Sequence, residues 1–244
     1  MIKHQIIAPV VDVRGTPDNA ALRGKSETQL VLGEIFIVEE EKSGWCKGAC
    51  AHDGYAGYVE SKYLTKLVTP PTHIMTAARS HTYRDAAIKS PLINTLSFGS
   101  LITVATHDKG FAQIDNGAWI YQKHIAAIDA FDEDPVATAK KFLETPYYWG
   151  GRSGFGIDCS GLVQVSLARA GIAAPRDTEM QETTLGTDAD THRAGDIIFF
   201  PGHAGIMADD HNLIHANAFH MKVTIEPLST VAGRSKGITS IRRI

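Results

Sequence analysis

The stretch from Pro146 to Val163, Pro-Tyr-Tyr-Trp-Gly-Gly-Arg-Ser-Gly-Phe-Gly-Ile-Asp-Cys-Ser-Gly-Leu-Val, constrains this chain more than any other. Four glycines, Gly150, Gly151, Gly154 and Gly156, make a loop that cannot be helical. The loop runs straight into Asp158 and an apolar pattern at helical spacing: Leu162, Val163, Val165, Leu167 and Ala168. Asp158 is a good N-cap, which puts Cys159 at the first helical position. There it meets unpaired backbone N–H groups and the positive end of the helix dipole, both of which favour a thiolate. A sulfur so placed reads as a nucleophile. The competing reading is a structural cysteine buried under a helix, the common fate of a lone cysteine. A glycine-rich loop that exposes the helix start argues against it.

A length of 244 residues admits one large domain or two to three small ones. A hydrophobic share of 43% with 21% charged residues leaves room for a sizeable core. The formal net charge is −3 and no basic run exceeds Arg242-Arg243, so nucleic acid and anionic membranes are disfavoured as partners. No stretch approaches the roughly 18 apolar residues of a membrane span. The first twelve residues lack the continuous apolar core and cleavage site of a secretory signal, so the expected location is the cytoplasm. Of the three cysteines, Cys46 and Cys50 lack the second pair that a closed zinc site needs, and they read as small residues of a hairpin. Cys159 stands alone, as a nucleophile in a reducing compartment should.

Residues 1 to about 128 read as short strands between turns: Ile6-Ile7, Val10–Val13, Leu30–Leu32, Ile35–Val38 and Gly57–Val59. They also contain a repeat. Leu32-Gly33-Glu34 followed by Gly44-Trp45 returns 66 residues later as Phe98-Gly99-Ser100 followed by Gly110-Phe111. Asp53-Gly54-Tyr55 is answered by Asn116-Gly117-Ala118, and Lys62-Tyr63-Leu64 by Lys123-His124-Ile125. Two β units of about 60 residues follow, each short-stranded enough to be a small barrel, joined at Thr69-Pro70-Pro71-Thr72. Asp129 to Pro135 is an acidic linker. Beyond it the spacing predicts a helix over 136–144 stopped by Pro146, and then the Cys159 helix ending at Gly171. Residues 174–194 read as polar and turn-rich, and strands are expected at 196–200, 203–207, 213–216 and 221–225. Helices followed by an antiparallel sheet make an α+β domain.

A thiolate nucleophile needs a base, and the base needs a group to orient it. Among 11 histidines, two are placed unusually. His203 lies in Pro201-Gly-His-Ala-Gly-Ile206, where small neighbours leave room for a second side chain to reach the ring. His215 lies in Leu213-Ile-His-Ala-Asn217, an apolar strand with one polar residue facing the other way. Both can lie on adjacent strands facing the start of the Cys159 helix. Cys159, His203 and His215 can also be read as zinc ligands, with His211 and His220 nearby, but no His-Glu-x-x-His pattern is present. No metal or cofactor is expected. The remaining histidines read as solvated surface groups.

Val11–Pro17, Gln29-Leu30, Gly33-Glu34 and Gly57-Tyr58-Val59 resemble bacterial SH3 domains, with the second copy more diverged. Such domains bind cell-wall material or pack against a catalytic partner. Tyr147-Tyr-Trp-Gly-Gly, Ile157-Asp-Cys-Ser-Gly-Leu-Val163, Arg193-Ala-Gly-Asp196, Gly202-His-Ala-Gly-Ile206 and Ile214-His-Ala216 resemble the NlpC family of bacterial cell-wall cysteine peptidases. The resemblance implies a papain-like α+β catalytic domain over 129–244, behind two small all-β SH3-like barrels over 1–67 and 68–128. It further implies Cys159 as nucleophile, His203 as base and His215 as the group that orients His203. It gives Tyr147 a share in holding the oxyanion with backbone N–H groups at Cys159. Tyr147 can equally be a packing aromatic, and Tyr148 and Trp149 read as packing residues.

A carboxylate beside a thiolate raises the thiol pKa, so Asp158 must be aimed elsewhere. In relatives with two N-terminal SH3-like domains, the aspartate and serine matching Asp158 and Ser160 look like a clamp for a free α-amino group. Residues matching Tyr55 and Glu34 wall off that end of the substrate. The plainer reading keeps Asp158 as an N-cap alone. The expected activity is cysteine endopeptidase cleavage of the γ-D-glutamyl–L-diamino acid bond in peptidoglycan-derived peptides with a free N-terminal L-alanine, by a monomer acting in murein recycling. Two other readings stay open: a vestigial wall-binding module, or an amidase or acyltransferase on the same fold. Polysaccharide hydrolysis is disfavoured, since no pair of carboxylates announces itself.

Overall fold

The computed structural model describes residues 2–17, 26–132 and 134–244, so Glu133 of the acidic linker and Met1 lie outside the described residues. The chain divides into two compact units. One comprises Met1–Ala130 with Ser153–Phe155, the other Phe131–Arg152 with Gly156–Ile244.

In the first unit, seven strands from Ile2–Ile6 to Leu64–Thr65 form one antiparallel sheet that closes on a core of Ile6, Val13, Leu30, Phe36, Cys50 and Val59. Cys46 and Cys50 are both buried on the Trp45–Cys50 strand, as the hairpin reading expects. Residues 73–127 form a five-stranded and a three-stranded sheet around Met75, Leu96, Ile114 and Ile120. The sequence repeat becomes a repeat of corners. Ser43-Gly44 and Lys109-Gly110 each close a two-residue hairpin with both φ angles positive, at 52° and 82° and at 46° and 84°. That is the turn whose twist suits paired strands and which glycine makes accessible. Asp53 and Asn116 each accept the N–H two residues on, at 3.0 Å, before a glycine in the left-handed region. A single turn of 3-10 helix follows in both copies, Ser61–Tyr63 and Gln122–His124. Its first N–H donates back to Gly44 O at 2.8 Å in one copy and to Gly110 O at 3.0 Å in the other.

The two repeats meet through backbone. Leu101 N–H donates to Leu32 O at 2.8 Å, and Gln5 exchanges two side-chain bonds with the backbone of Thr69, each 3.0 Å. A Cβ at Gly33 would lie 2.1 Å from Leu101 O, so only glycine permits this approach.

In the second unit, helix α1 (Pro135–Lys140) is capped by Asp134, which accepts Val136 N–H at 2.8 Å. It is shorter than the sequence expectation, and Pro146 is not what stops it. Glu144 takes a left-handed conformation (φ 67°) and donates its N–H to Val223 O at 3.1 Å, while Val223 N–H donates to Thr145 O at 2.9 Å. The edge of the sheet captures the segment that local spacing assigned to helix. Helix α2 (Cys159–Arg169) starts where expected and ends through Ala170 into Gly171, whose φ is 79°. Two further helices were not expected: α3 (Thr178–Thr184) lies in the stretch that reads as turn-rich, and α4 (Leu228–Arg234) beyond the last expected strand.

The sheet of this unit runs in the order 187–188, 240–243, 197–200, 203–207, 212–217, 222–227, all antiparallel where paired. The first two strands in that order, Thr187–Asp188 and Ser240–Arg243, carry no strand signal of their own. Ile198, Phe200, Met207 and Leu213 pack on Leu228 and Val231 of α4. Register sets Leu213 opposite Glu226 and His215 opposite Thr224, so these polar side chains share that face. Helix α2 packs against strands 203–207 and 212–217 and is buried almost all round. Among the described residues no helix is long and apolar enough to cross a membrane.

Alanine at Gly44 and at Gly33 separates conformational strain from blocked space. A left-handed alanine costs about 1–2 kcal/mol, and nothing lies near the added Cβ at Gly44. Gly33→Ala meets the same strain plus a backbone carbonyl. Thermal melts are expected to show a clearly larger loss for Gly33→Ala, and equal losses would show that the approach of Leu101 to Gly33 is slack.

Candidate active site

The glycine loop folds back on itself to present the start of α2. Gly151 N–H donates to Tyr148 O at 2.8 Å, and Asp158 N–H to Gly151 O at 3.2 Å. A Cβ at Gly161 would lie 2.3 Å from Gly151 O, so the first helical turn rests directly on loop backbone. Asp158 holds the join. Its Oδ1 accepts Gly161 N–H at 2.7 Å, which is the N-cap bond, and its Oδ2 accepts Gly150 N–H at 2.8 Å. Arg176 then takes both oxygens, Nη1–Oδ1 at 3.0 Å and Nη2–Oδ2 at 2.6 Å. The same guanidinium donates to Ser160 Oγ at 2.8 Å. Asp158 is thus more than a cap: it is one half of a buried, bidentate ion pair.

Cys159 is buried at the tip of α2, 7% exposed, with Sγ 3.9 Å from Thr178 Oγ1. Burial pushes its thiol up, and the Asp158 charge adds to the rise. Backbone N–H groups of Ala204 and Ser160 and the Thr178 hydroxyl act the other way without cancelling it. The helix-tip donors expected from the sequence are present, but desolvation outweighs them. Tyr147 is half-buried, and burial first, then Cys159 and Asp158, push its phenol up, so it stays an O–H donor. Tyr148 and Trp149 are not the packing residues expected: they are 40% and 60% exposed.

Ala204, whose N–H reaches the thiol, follows His203 at the start of its strand. His203 Nε2 lies 2.8 Å from His215 Nδ1. Gly205 makes the room, since a Cβ there would lie 3.0 Å from His215 Cβ and 2.8 Å from Leu213 Cγ. His215 Nε2 lies 2.9 Å from Glu226 Oε1. Arg234 donates to both Glu226 oxygens, at 2.7 and 3.1 Å, and His220 Nε2 lies 3.1 Å from Oε2. Burial lowers His203 to about 4, with His215 and Arg234 contributing, and burial lowers His215 as well. Hydrogen bonding from Arg234, then from His215 and His220, holds Glu226 at about 2 despite its own desolvation.

Cys159, Asp158, Ser160 and Tyr147 are thus gathered at one end of α2, with the His203–His215 pair beginning beside the thiol. Tyr55 and Glu34 belong to the first unit. There Tyr55 packs on the first barrel's core, and Glu34 Oε2 accepts Val31 N–H at 2.8 Å across the Gly33 corner. Residues that sequence reasoning missed are Arg176, Thr178, Glu226 and Arg234. Arg176 carried only a weak signal, a lone arginine after proline, and Glu226 needed the strand register to be found. Among the described residues, no group of three His, Cys, Asp or Glu side chains is placed to hold a metal ion.

The Asp158–Arg176 pair is buried on both sides, so truncating one partner strands the other charge. Arg176→Met is expected to lower stability by about 3–5 kcal/mol, read as a fall in the melting midpoint. A loss under about 1 kcal/mol, the range of an exposed pair, would show that water already screens the carboxylate.

Comparison with known proteins finds matches to both parts of the chain. The model of the NlpC/P60 family matches residues 144–242, and that of the bacterial dipeptidyl-peptidase Sh3 domain matches residues 14–64. A gamma-D-glutamyl-L-lysine dipeptidyl-peptidase of Bacillus cereus (strain ATCC 10987 / NRS 248) is 29% identical over 240 residues, covering 84% of this chain and 72% of its own. Dipeptidyl-peptidase 6 of Lysinibacillus sphaericus is 25% identical over 251 residues, covering 91% of this chain and 90% of its own. A solved NlpC/P60 family protein from Bacillus cereus ATCC 10987 has the same fold, with a TM-score of 0.83 at 24% identity over 99% of each chain. Residues 144–242 are therefore a cysteine peptidase domain of the NlpC/P60 family, with a bacterial SH3 domain ahead of it over residues 14–64.

Proposed function

We propose that the enzyme hydrolyses the γ-D-glutamyl–L-diamino acid bond of peptidoglycan stem peptides, with Cys159 as nucleophile and His203 as general base. The observation that carries this reading is the buried thiol at the tip of α2, under the N–H of the residue that follows His203. The relatives named gamma-D-glutamyl-L-lysine dipeptidyl-peptidases support the substrate class.

The steps follow from the groups present. Sγ attacks the γ-carbonyl carbon of D-glutamate as its proton passes to His203. The carbonyl oxygen becomes an oxyanion, facing the backbone N–H of Cys159 and the Tyr147 hydroxyl. His203 returns the proton to the amine of the diamino acid, the C–N bond breaks, and a thioester remains. Water, deprotonated by His203, then hydrolyses the thioester and restores the thiol. Because thiol and imidazole are both held neutral by burial, proton transfer accompanies attack instead of preceding it.

The finer reading is that only peptides with a free N-terminal L-alanine are cut, as fits fragments already released from the glycan. It rests on the resemblance at Tyr55, Glu34, Asp158 and Ser160. At Asp158 the reading is sharpened: the carboxylate is already balanced by Arg176, so recognition of an ammonium there draws on Ser160 and carbonyl groups as much as on charge.

Purified protein given L-Ala-γ-D-Glu-diaminopimelate should release L-Ala-D-Glu, and Cys159→Ala should release none. Retained hydrolysis by that variant would remove the mechanism. The N-acetylated peptide is expected to be a poor substrate, and equal rates on both would remove the free-amine requirement alone. The pH profile gives a separate check. A base lowered to about 4 stays neutral through mildly acid solution, so the acid limb of kcat/KM is expected near pH 4. A limb near the ordinary 6.5 would mean that the His203 ring is well solvated.

A further inference from the structure

Behind the two histidines stands a pair of charges that the reaction itself does not touch. We propose that Glu226, clasped by Arg234, is a positioning residue that sets the tautomers of both His215 and His203, so that His203 turns its bare Nδ1 to the thiol of Cys159. The proposal rests on the peptidase reading for its consequence, but not for its geometry.

An ionised carboxylate can only accept. Glu226 is ionised, since Arg234 donates to both of its oxygens. The nitrogen 2.9 Å from Oε1, His215 Nε2, must therefore carry a proton. His215 is buried and disfavours the charged form, so it holds one proton and its Nδ1 is bare. That bare nitrogen lies 2.8 Å from His203 Nε2, which must then be the donor. His203, also neutral, is left with Nδ1 as its basic nitrogen. A carboxylate two rings away thus decides which atom takes the thiol proton.

One neighbour competes. Asn217 Nδ2 lies 3.2 Å from His215 Nε2, and an amide N–H aimed there would call for a bare nitrogen. Its hydrogens have other acceptors, Thr224 Oγ1 at 2.8 Å and the Lys222 carbonyl at 3.4 Å. The carboxylate has no proton to offer and lies closer, so it prevails. Arg234 serves a second purpose. The Glu226 charge alone would favour imidazolium, and the guanidinium opposes it at both rings. Together they impose a direction on the hydrogen bonds without charging the histidines. The clasp is itself braced, with Phe219 against the guanidinium at 4.2 Å and His220 on Oε2.

A glutamine at 226 removes the constraint. Its amide can donate to His215 Nε2, which moves the His215 proton to Nδ1 and turns both rings over. His203 would then face the thiol with an N–H and could not accept its proton.

Nitrogen-15 spectra of the imidazoles test this without substrate, with resonances assigned by their loss in His203→Gln and His215→Gln. The wild-type protein is expected to show both rings protonated at Nε2 and bare at Nδ1 near neutral pH. A His215 ring protonated at Nδ1, or a doubly protonated ring, overturns the proposal while leaving the peptidase reading untouched. In Glu226→Gln, His215 should shift toward Nδ1–H, and kcat should fall by about 10- to 100-fold. KM should change by less than about twofold, as expected for a group that touches no substrate. A folded Glu226→Gln variant with unchanged kcat also overturns it. If that variant does not fold, the wild-type spectra decide alone.

Discussion

The join between loop and helix depends on one carboxylate. Asp158 closes the first turn of α2, ties down Gly150 and receives Arg176 along its full edge. Each bond serves a different element: the helix, the glycine loop, and the segment leading to α3. Without such a knot, a loop with four glycines would lose a large conformational freedom on folding with little to offset it. The knot sits next to Cys159, where a bare negative charge would oppose a thiolate. Arg176 offsets that charge at close range, so one residue can serve as cap and loop anchor beside a nucleophile. Fold and chemistry make opposing demands on this residue, and the guanidinium meets them in part, since the Asp158 charge still pushes the thiol up.

Dehydration governs the rest of the site. Cys159, His203 and His215 are all buried or nearly so, and in each the neutral form is favoured. Charge is kept at two paired places, Asp158–Arg176 and Glu226–Arg234, where opposite partners make it tolerable. Proton movement along Cys159, His203 and His215 is then steered by hydrogen-bond direction instead of by standing ionic pairs. Gly205 is the steric counterpart of this electrostatic design. Its missing side chain lets Leu213 and His215 press against the strand that carries His203.

Much of this was legible in the residues themselves. The N-cap at Asp158 and the position of Cys159 follow from local rules that act within one helical turn. The duplicated β units followed from the spacing of Gly33, Gly44 and Gly54 and their counterparts, because left-handed corners demand particular residues. What escaped depended on partners distant in sequence. The end of α1 is decided by Val223, about 80 residues away, and the strand Ser240–Arg243 exists because Ile197–Phe199 offers it an edge. Glu226 and Arg234 are ordinary charged residues until cross-strand register brings one of them under His215. The thiol's pKa direction was misjudged for a related reason: helix-end donors can be read from a motif, whereas burial is a property of the whole packed domain.

The paired corners of the first unit have a consequence for what this chain can tolerate. Each copy keeps its shape through a few backbone-determined positions, Gly44 and Gly110, Asp53 and Asn116, and the 3-10 turns that bond back to them. The side chains between those positions are free to change, provided the inward alternation persists. A duplication built on such a scaffold can drift in its outward chemistry while its architecture is inherited intact. The seam at Gly33 and Leu101 is the exception, since there each copy limits what the other can become.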